Sequence, residues 1–91
     1  MDEKLNERTK KLICEARKVI NKGDYREGLS QLLSTYESDN ELLSNGHKIL
    51  LLNEIIAVYE NLNSEVGLNT DELENKSRVE KLRTKLLLEN L

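Results

Sequence analysis

The stretch INKGDYREGLSQLL, residues 20–33, decides the fold. Gly23 follows a run of apolar residues at helical spacing and is the residue type that most easily takes the left-handed conformation that ends a helix. Asp24 stands at an N-cap position with Glu27 three residues on, a variant of the capping box, and Tyr25, Leu29, Leu32, Leu33 and Tyr36 then give an apolar stripe. Two helices joined by so short a turn lie back to back, so the stretch predicts a helical hairpin. Gly28 falls on the stripe of the second helix, between Tyr25 and Leu32. A mid-helix glycine costs about 0.5–1 kcal/mol relative to alanine. Its presence predicts an offsetting gain, the close approach of a neighbouring backbone where a side chain would stand.

Working outward, Leu5, Thr9, Leu12, Ala16 and Val19 form one stripe of the preceding helix, flanked by Ile13 and Ile20, with Asp2 as its N-cap. Downstream, a third helix begins either near Asn40, because Leu42, Leu43, Gly46, Ile49 and Leu50 keep helical spacing, or near His47, if Asn45-Gly46 is a turn. From Ile49 to Leu62 the run is apolar almost all round, which predicts the central, most buried helix. Gly67 then breaks the chain, Asn69 caps a fourth helix with Glu72 at its third position, and Asp71 complements the helix dipole. The buried candidates of that helix are Leu73, Val79, Leu82 and Leu86.

With 91 residues, no Pro, Phe or Trp, and only three aromatics, all Tyr, the composition favours helix over sheet and leaves room for one domain. The expected fold is all-α, an antiparallel four-helix bundle spanning residues 1–91 as a single domain. One cysteine excludes an internal disulfide framework, and the N-terminal MDEKLNERTKK lacks the apolar centre of a signal peptide, so the cytoplasm is the expected compartment. The most apolar run, residues 49–59, is interrupted by Asn53 and Glu54 and falls short of the roughly 20 residues that span a bilayer.

Catalysis requires convergent groups, and one histidine and one cysteine more than thirty residues apart offer none. No zinc-ligand spacing, P-loop or dinucleotide fingerprint is present, so the expectation is a non-enzymatic protein without catalytic residues, metal or cofactor. His47 reads as a helix-start or loop residue, and Asp71, Glu72 and Glu74 as helix-start chemistry. Cys14 projects away from the Leu12/Ala16/Val19 stripe, on the side of Lys10, Arg17 and Lys18, which predicts an exposed thiol.

Charge is more telling than chemistry. Residues 1–22 carry seven Lys/Arg against four Asp/Glu, residues 23–46 and 47–72 each carry one against five, and residues 73–91 carry five against three. In an up-down bundle the first and last helices are neighbours, so their cations are expected to merge into one basic face opposite an acidic one. Lys76, Arg78, Lys81, Arg83 and Lys85 are therefore the candidate partner-binding residues. A net charge of −3 and the absence of aromatics among those cations argue against nucleic acid.

Residues 5–40 resemble a single degenerate tetratricopeptide repeat. Ala16 and Gly28 occupy its small-residue positions, Gly23-Asp24-Tyr25 its turn, Leu12, Val19 and Leu32 its large apolar positions, and Asn40 the place where proline closes the unit. Glu15 departs from an apolar position, and no second copy follows, so a stacked groove is not expected from this chain alone. The whole chain is also similar to the four-helix bacteriocin immunity proteins of Gram-positive bacteria, in its length, its strongly apolar third helix (HKILLLNEIIAVYENLNSE) and the short loop into a polar fourth (GLNTDELENKSRVEKLRTKL). It is acidic where many members are basic. That resemblance implies a cytosolic protector acting at the cytosolic side of a bacteriocin-occupied membrane receptor complex, with specificity set by the C-terminal half. The first functional expectation is thus an immunity-type protein, and the alternative is a tetratricopeptide-like adaptor or small subunit of a larger assembly.

Overall fold

A computed structural model describes residues 7–89, so the expectations for Asp2 and Leu5 lie outside the described residues. Four helices follow one another: α1 (Glu7–Asn21), α2 (Tyr25–Asp39), α3 (Asn45–Glu65) and α4 (Thr70–Glu89), with a single 3-10 turn, Asn40–Leu42, between α2 and α3. No strand occurs among the described residues, and the expected all-α, antiparallel four-helix arrangement is observed. No described helix is long and apolar enough to cross a membrane.

Local chemistry sets the helix ends. Gly23, at φ +92°, closes α1 with a Schellman motif in which its N–H donates to Ile20 O at 2.9 Å and the Asp24 N–H to Val19 O at 3.2 Å. Gly67, at φ +83°, closes α3 in the same left-handed region. Asn69 and Glu72 form the reciprocal capping box of α4: the Glu72 N–H donates to Asn69 Oδ1 at 2.8 Å and the Asn69 N–H to Glu72 Oε1 at 3.1 Å. Asp24 differs from expectation. It occupies the N-cap of α2 but its side chain makes no capping hydrogen bond, its backbone at φ −92° and ψ 65° standing outside the extended region from which an N-cap side chain reaches the first turn. The start of α3 falls between the two alternatives: Ser44 is its N-cap and accepts from the His47 N–H at 3.1 Å, so Asn45-Gly46 forms the first turn of the helix.

Helices pack in chain order, α1 on α2, α2 on α3 and α3 on α4, and α1 and α4 share no packed interface. The expected union of the two basic ends into one face is therefore not formed. The result is a slab with principal extents of 42 × 28 × 17 Å, built from two hairpins joined through α2 and α3. Leu32, Leu52, Ile55 and Tyr59 are essentially inaccessible at its centre, and α3 contributes seven buried residues, as a central helix should.

Gly28 marks the tightest crossing. A Cβ built there would overlap Ile20 Cγ1 and stand 3.2 Å from the Ala16 carbonyl oxygen. The α1 backbone at Ala16, itself fully buried, thus approaches α2 where the side chain is missing. On α4 the buried residues are Val79 and Leu86, with Leu82 half-buried against the core. Leu73, an expected core residue, is 53% exposed. It lies six residues before Val79, about 120° around the helix from the buried stripe.

One polar cluster is buried. Asp39, fully inaccessible, accepts from Thr9 Oγ1 at 2.7 Å and from Ser38 Oγ at 2.8 Å, and pairs with Arg8 at 3.2 Å. It ties the start of α1 to the end of α2. Its carboxyl is held below the usual carboxylate range by the Thr9 hydroxyl first, against the opposing effect of burial, with Ser38 and Arg8 assisting.

Candidate functional site

The packing order leaves one side of α3 uncovered. With α2 and α4 occupying two flanks, a groove of about 570 Å³ opens between α1 and α3. Its floor is apolar: Ile13 comes from α1, Leu43 from the segment before α3, and Leu50, Leu51 and Ala57 from α3. Ile13, Leu43 and Leu51 are buried beneath it, whereas Leu50 is 61% exposed and Ala57 is also exposed. The grooves of 440 Å³ between α1 and α2 and of 270 Å³ between α2 and α4 are lined largely by serines and charged side chains and hold no comparable exposed leucine.

The walls are charged. Lys10, Cys14 and Arg17 lie along the α1 side, spaced three or four residues apart and so on one face of the helix. His47, Asn53 and Glu54 complete the lining from α3. Arg17 crosses the groove to Glu54, with its Nε donating to Oε1 at 2.7 Å. Lys10 makes no ion pair among the described residues. Cys14 is exposed, as its helical position predicts.

From α4, Arg83 donates through Nη1 to Asn53 Oδ1 of α3 at 2.9 Å. Its Nε is buried without a hydrogen-bond partner. The exposed strip Leu50–Asn53–Ala57 is therefore bracketed by two arginines from non-adjacent helices, Arg17 of α1 and Arg83 of α4.

The five expected binding residues do not form one face. Lys76 and Arg83, seven residues apart and so nearly in line along α4, are half-buried: Lys76 pairs with Glu80 at 3.1 Å and Arg83 serves the groove. Arg78, Lys81 and Lys85 are exposed on the opposite side. None of the five lines the α1/α3 groove, and Arg83 alone bonds a residue that does, Asn53. The lining residues were not expected as binding residues from the sequence, although a signal was present. Asn53 and Glu54 interrupt the apolar run at the one side of α3 that nothing covers, and Leu50 and Ala57 flank them one turn away.

On the opposite surface, Arg26 of α2 forms a bidentate pair with Glu72, at 2.8 and 3.0 Å, binding the two hairpins at the other end. This pairing, with the capping hydrogen bond from Asn69, holds the Glu72 carboxyl below its ordinary range despite partial burial. No group of three His, Cys, Asp or Glu side chains among the described residues is placed to hold a metal ion. What the groove can offer is an apolar floor with a cationic edge along α1. No protein-family model, curated protein or solved structure matches the chain.

Proposed function

We propose that the chain is a non-enzymatic, cytoplasmic protein-binding module that receives a segment of another protein in the groove between α1 and α3. The exposed Leu50, set in an apolar floor between charged walls, carries this reading. A buried hairpin partner would have covered such a side chain, and an ordinary surface position would have no groove around it. The arrangement of two helical hairpins stacked through α2 and α3, with the groove between the first helix of each, supports the adaptor reading over the immunity-type one. The second hairpin does so without repeating the sequence pattern of the first. The test is photocrosslinking in cells that express the protein, with p-benzoylphenylalanine introduced at position 50 in the groove or at position 77 on the outer side of α4. A discrete protein adduct at position 50 and not at 77 is expected. Equal labelling at both positions, or none at 50, contradicts the reading.

One observation favours the immunity-type alternative: Arg78, Lys81 and Lys85 share an exposed side of α4, in the half of the chain to which that resemblance assigns specificity. Lys81→Gln with Lys85→Gln should leave stability within about 0.5 kcal/mol, as for exposed charges away from special features. In that reading the double variant protects sensitive bacteria less well against the matching bacteriocin, and full protection removes the outer face of α4 from consideration.

A further inference from the structure

We infer that the occupant of the α1/α3 groove is an acidic amphipathic helix, an inference that rests on the groove being the binding site. Three features fix its chemistry. The first is secondary structure. The groove is walled by helices whose backbone groups bond within themselves, so it offers no ladder of donors and acceptors to an extended strand lying on an apolar floor. A helix satisfies its own backbone and needs only side-chain contacts. From His47 to Ala57 the groove follows α3 for about 15 Å, which matches about three turns of a bound helix with apolar residues at i, i+3 or i+4, and i+7.

The second feature is charge. Lys10 and Arg17 line the α1 edge, against a single lining carboxylate, Glu54, that Arg17 already engages. This is a cationic site on a chain whose net charge is −3. Lys10 lacks an anion among the described residues. Carboxylates flanking the apolar stripe of the ligand would supply one, and would be drawn to the groove from solution.

The third feature removes a second copy of this chain as the occupant. Such a copy would have to present an exposed apolar stripe with acidic flanks. The exposed Leu88 on α4 lies beside Lys81 and Lys85, which would face Lys10 and Arg17 with like charge; the exposed Leu42, Val66 and Leu73 have acidic neighbours, but each lacks an exposed apolar residue one turn away and so forms no stripe, and the exposed side of α2 is polar.

The probe is a fluorescein-labelled synthetic helical peptide of about four turns, with Leu at the stripe positions and Glu on both flanks, compared with the same peptide carrying Lys in place of Glu. Fluorescence anisotropy against the full chain should show binding of the Glu peptide that weakens as salt is raised, and at least tenfold weaker binding of the Lys peptide. Leu50→Glu should abolish binding. Lys10→Gln with Arg17→Gln should weaken it about tenfold and flatten the salt dependence. Lys10→Gln alone, at an exposed position without an ion pair among the described residues, provides a milder variant should the double one fail to fold.

Binding of the Lys peptide equal to or tighter than that of the Glu peptide overturns the inference. So does Glu-peptide binding that survives Leu50→Glu but is lost on replacing Arg78, Lys81 and Lys85 by Gln, which would move the site to the outer face of α4. A chain that sediments as a dimer, and as a monomer after Leu50→Glu, would show a second copy in the groove. A crosslink from position 50 to a basic or non-helical segment of a partner would leave the binding reading standing and remove the acidic helix.

Discussion

Between α1 and α2 the contact is backbone against backbone, with Gly28 laid on Ala16 and the buried Thr9–Asp39 hydrogen bond fixing the far end. Between α3 and α4 it is side chain against side chain: α3 supplies most of the apolar surface, and α4 buries only Val79 and Leu86 in return. The first hairpin is specified by what it omits, a side chain at Gly28, and by one satisfied polar cluster. The second depends on the excess hydrophobicity of α3 and on its capped start at Asn69. The difference explains the groove. An α3 apolar almost all round has more surface than α2 and α4 cover, and α1, held close to α2 by the glycine crossing, stands beside the remainder without closing over it.

The largest effect should come from filling the glycine crossing. Because even a Cβ at Gly28 would overlap Ile20, Gly28→Leu should cost about 3 kcal/mol by overpacking, read from the urea midpoint. An unchanged midpoint would show that the hairpin does not depend on this approach.

Next in size is the polar cluster. Asp39→Ala removes the carboxylate that accepts from the Thr9 and Ser38 hydroxyls and pairs with Arg8, and should cost about 1–3 kcal/mol at neutral pH. The parent should also show a pH dependence of definite sign. A carboxyl whose value is depressed in the folded state stabilises the fold fully above the unfolded value near 4, and this contribution is lost as pH falls through the lower folded value. Asp39→Ala should therefore lose less stability on acidification than the parent does, with Glu72, depressed first by its Arg26 hydrogen bond, accounting for part of the slope that remains. Parallel acid-unfolding curves for the two proteins would contradict this assignment.

The smallest of the three belongs to the second hairpin. Asn69→Ala removes the side-chain acceptor of the capping box and should cost about 1 kcal/mol in thermal or denaturant unfolding, since packing of α3 and not the start of α4 carries that hairpin. A loss as large as that of Gly28→Leu would erase the contrast between the two halves.

These sites differ in how far the sequence reveals them. Gly23, Gly67 and the Asn69–Glu72 box are legible because a helix end is decided within four or five residues, by left-handed φ and by capping geometry. Gly28 is legible because a glycine on an apolar stripe is costly unless something approaches it. Asp39 is not, because its partner Thr9 lies thirty residues away and nothing local distinguishes a carboxylate at the end of α2 from a solvated one. Leu73 misleads for the converse reason: it is apolar, but the buried stripe of α4 runs through Val79, Leu82 and Leu86, and Leu73 is out of phase with it. The groove depends on which helices adjoin. Charge patterning places cations on α1 and α4 but does not show that the two helices stand apart with the exposed strip of α3 between them, so none of the five α4 cations lines the groove and only Arg83 touches a residue of it, Asn53.

Cys14 provides the most direct measurement of the central claim, because its thiol lines the groove and is exposed. In the free folded chain it should react with a thiol reagent nearly as fast as in the unfolded chain. In the complex with the partner recovered through position 50, the same reaction should slow at least tenfold, with exposure restored when the partner is displaced. A Cys14 that reacts equally fast in the free chain and in the saturated complex would contradict binding between α1 and α3.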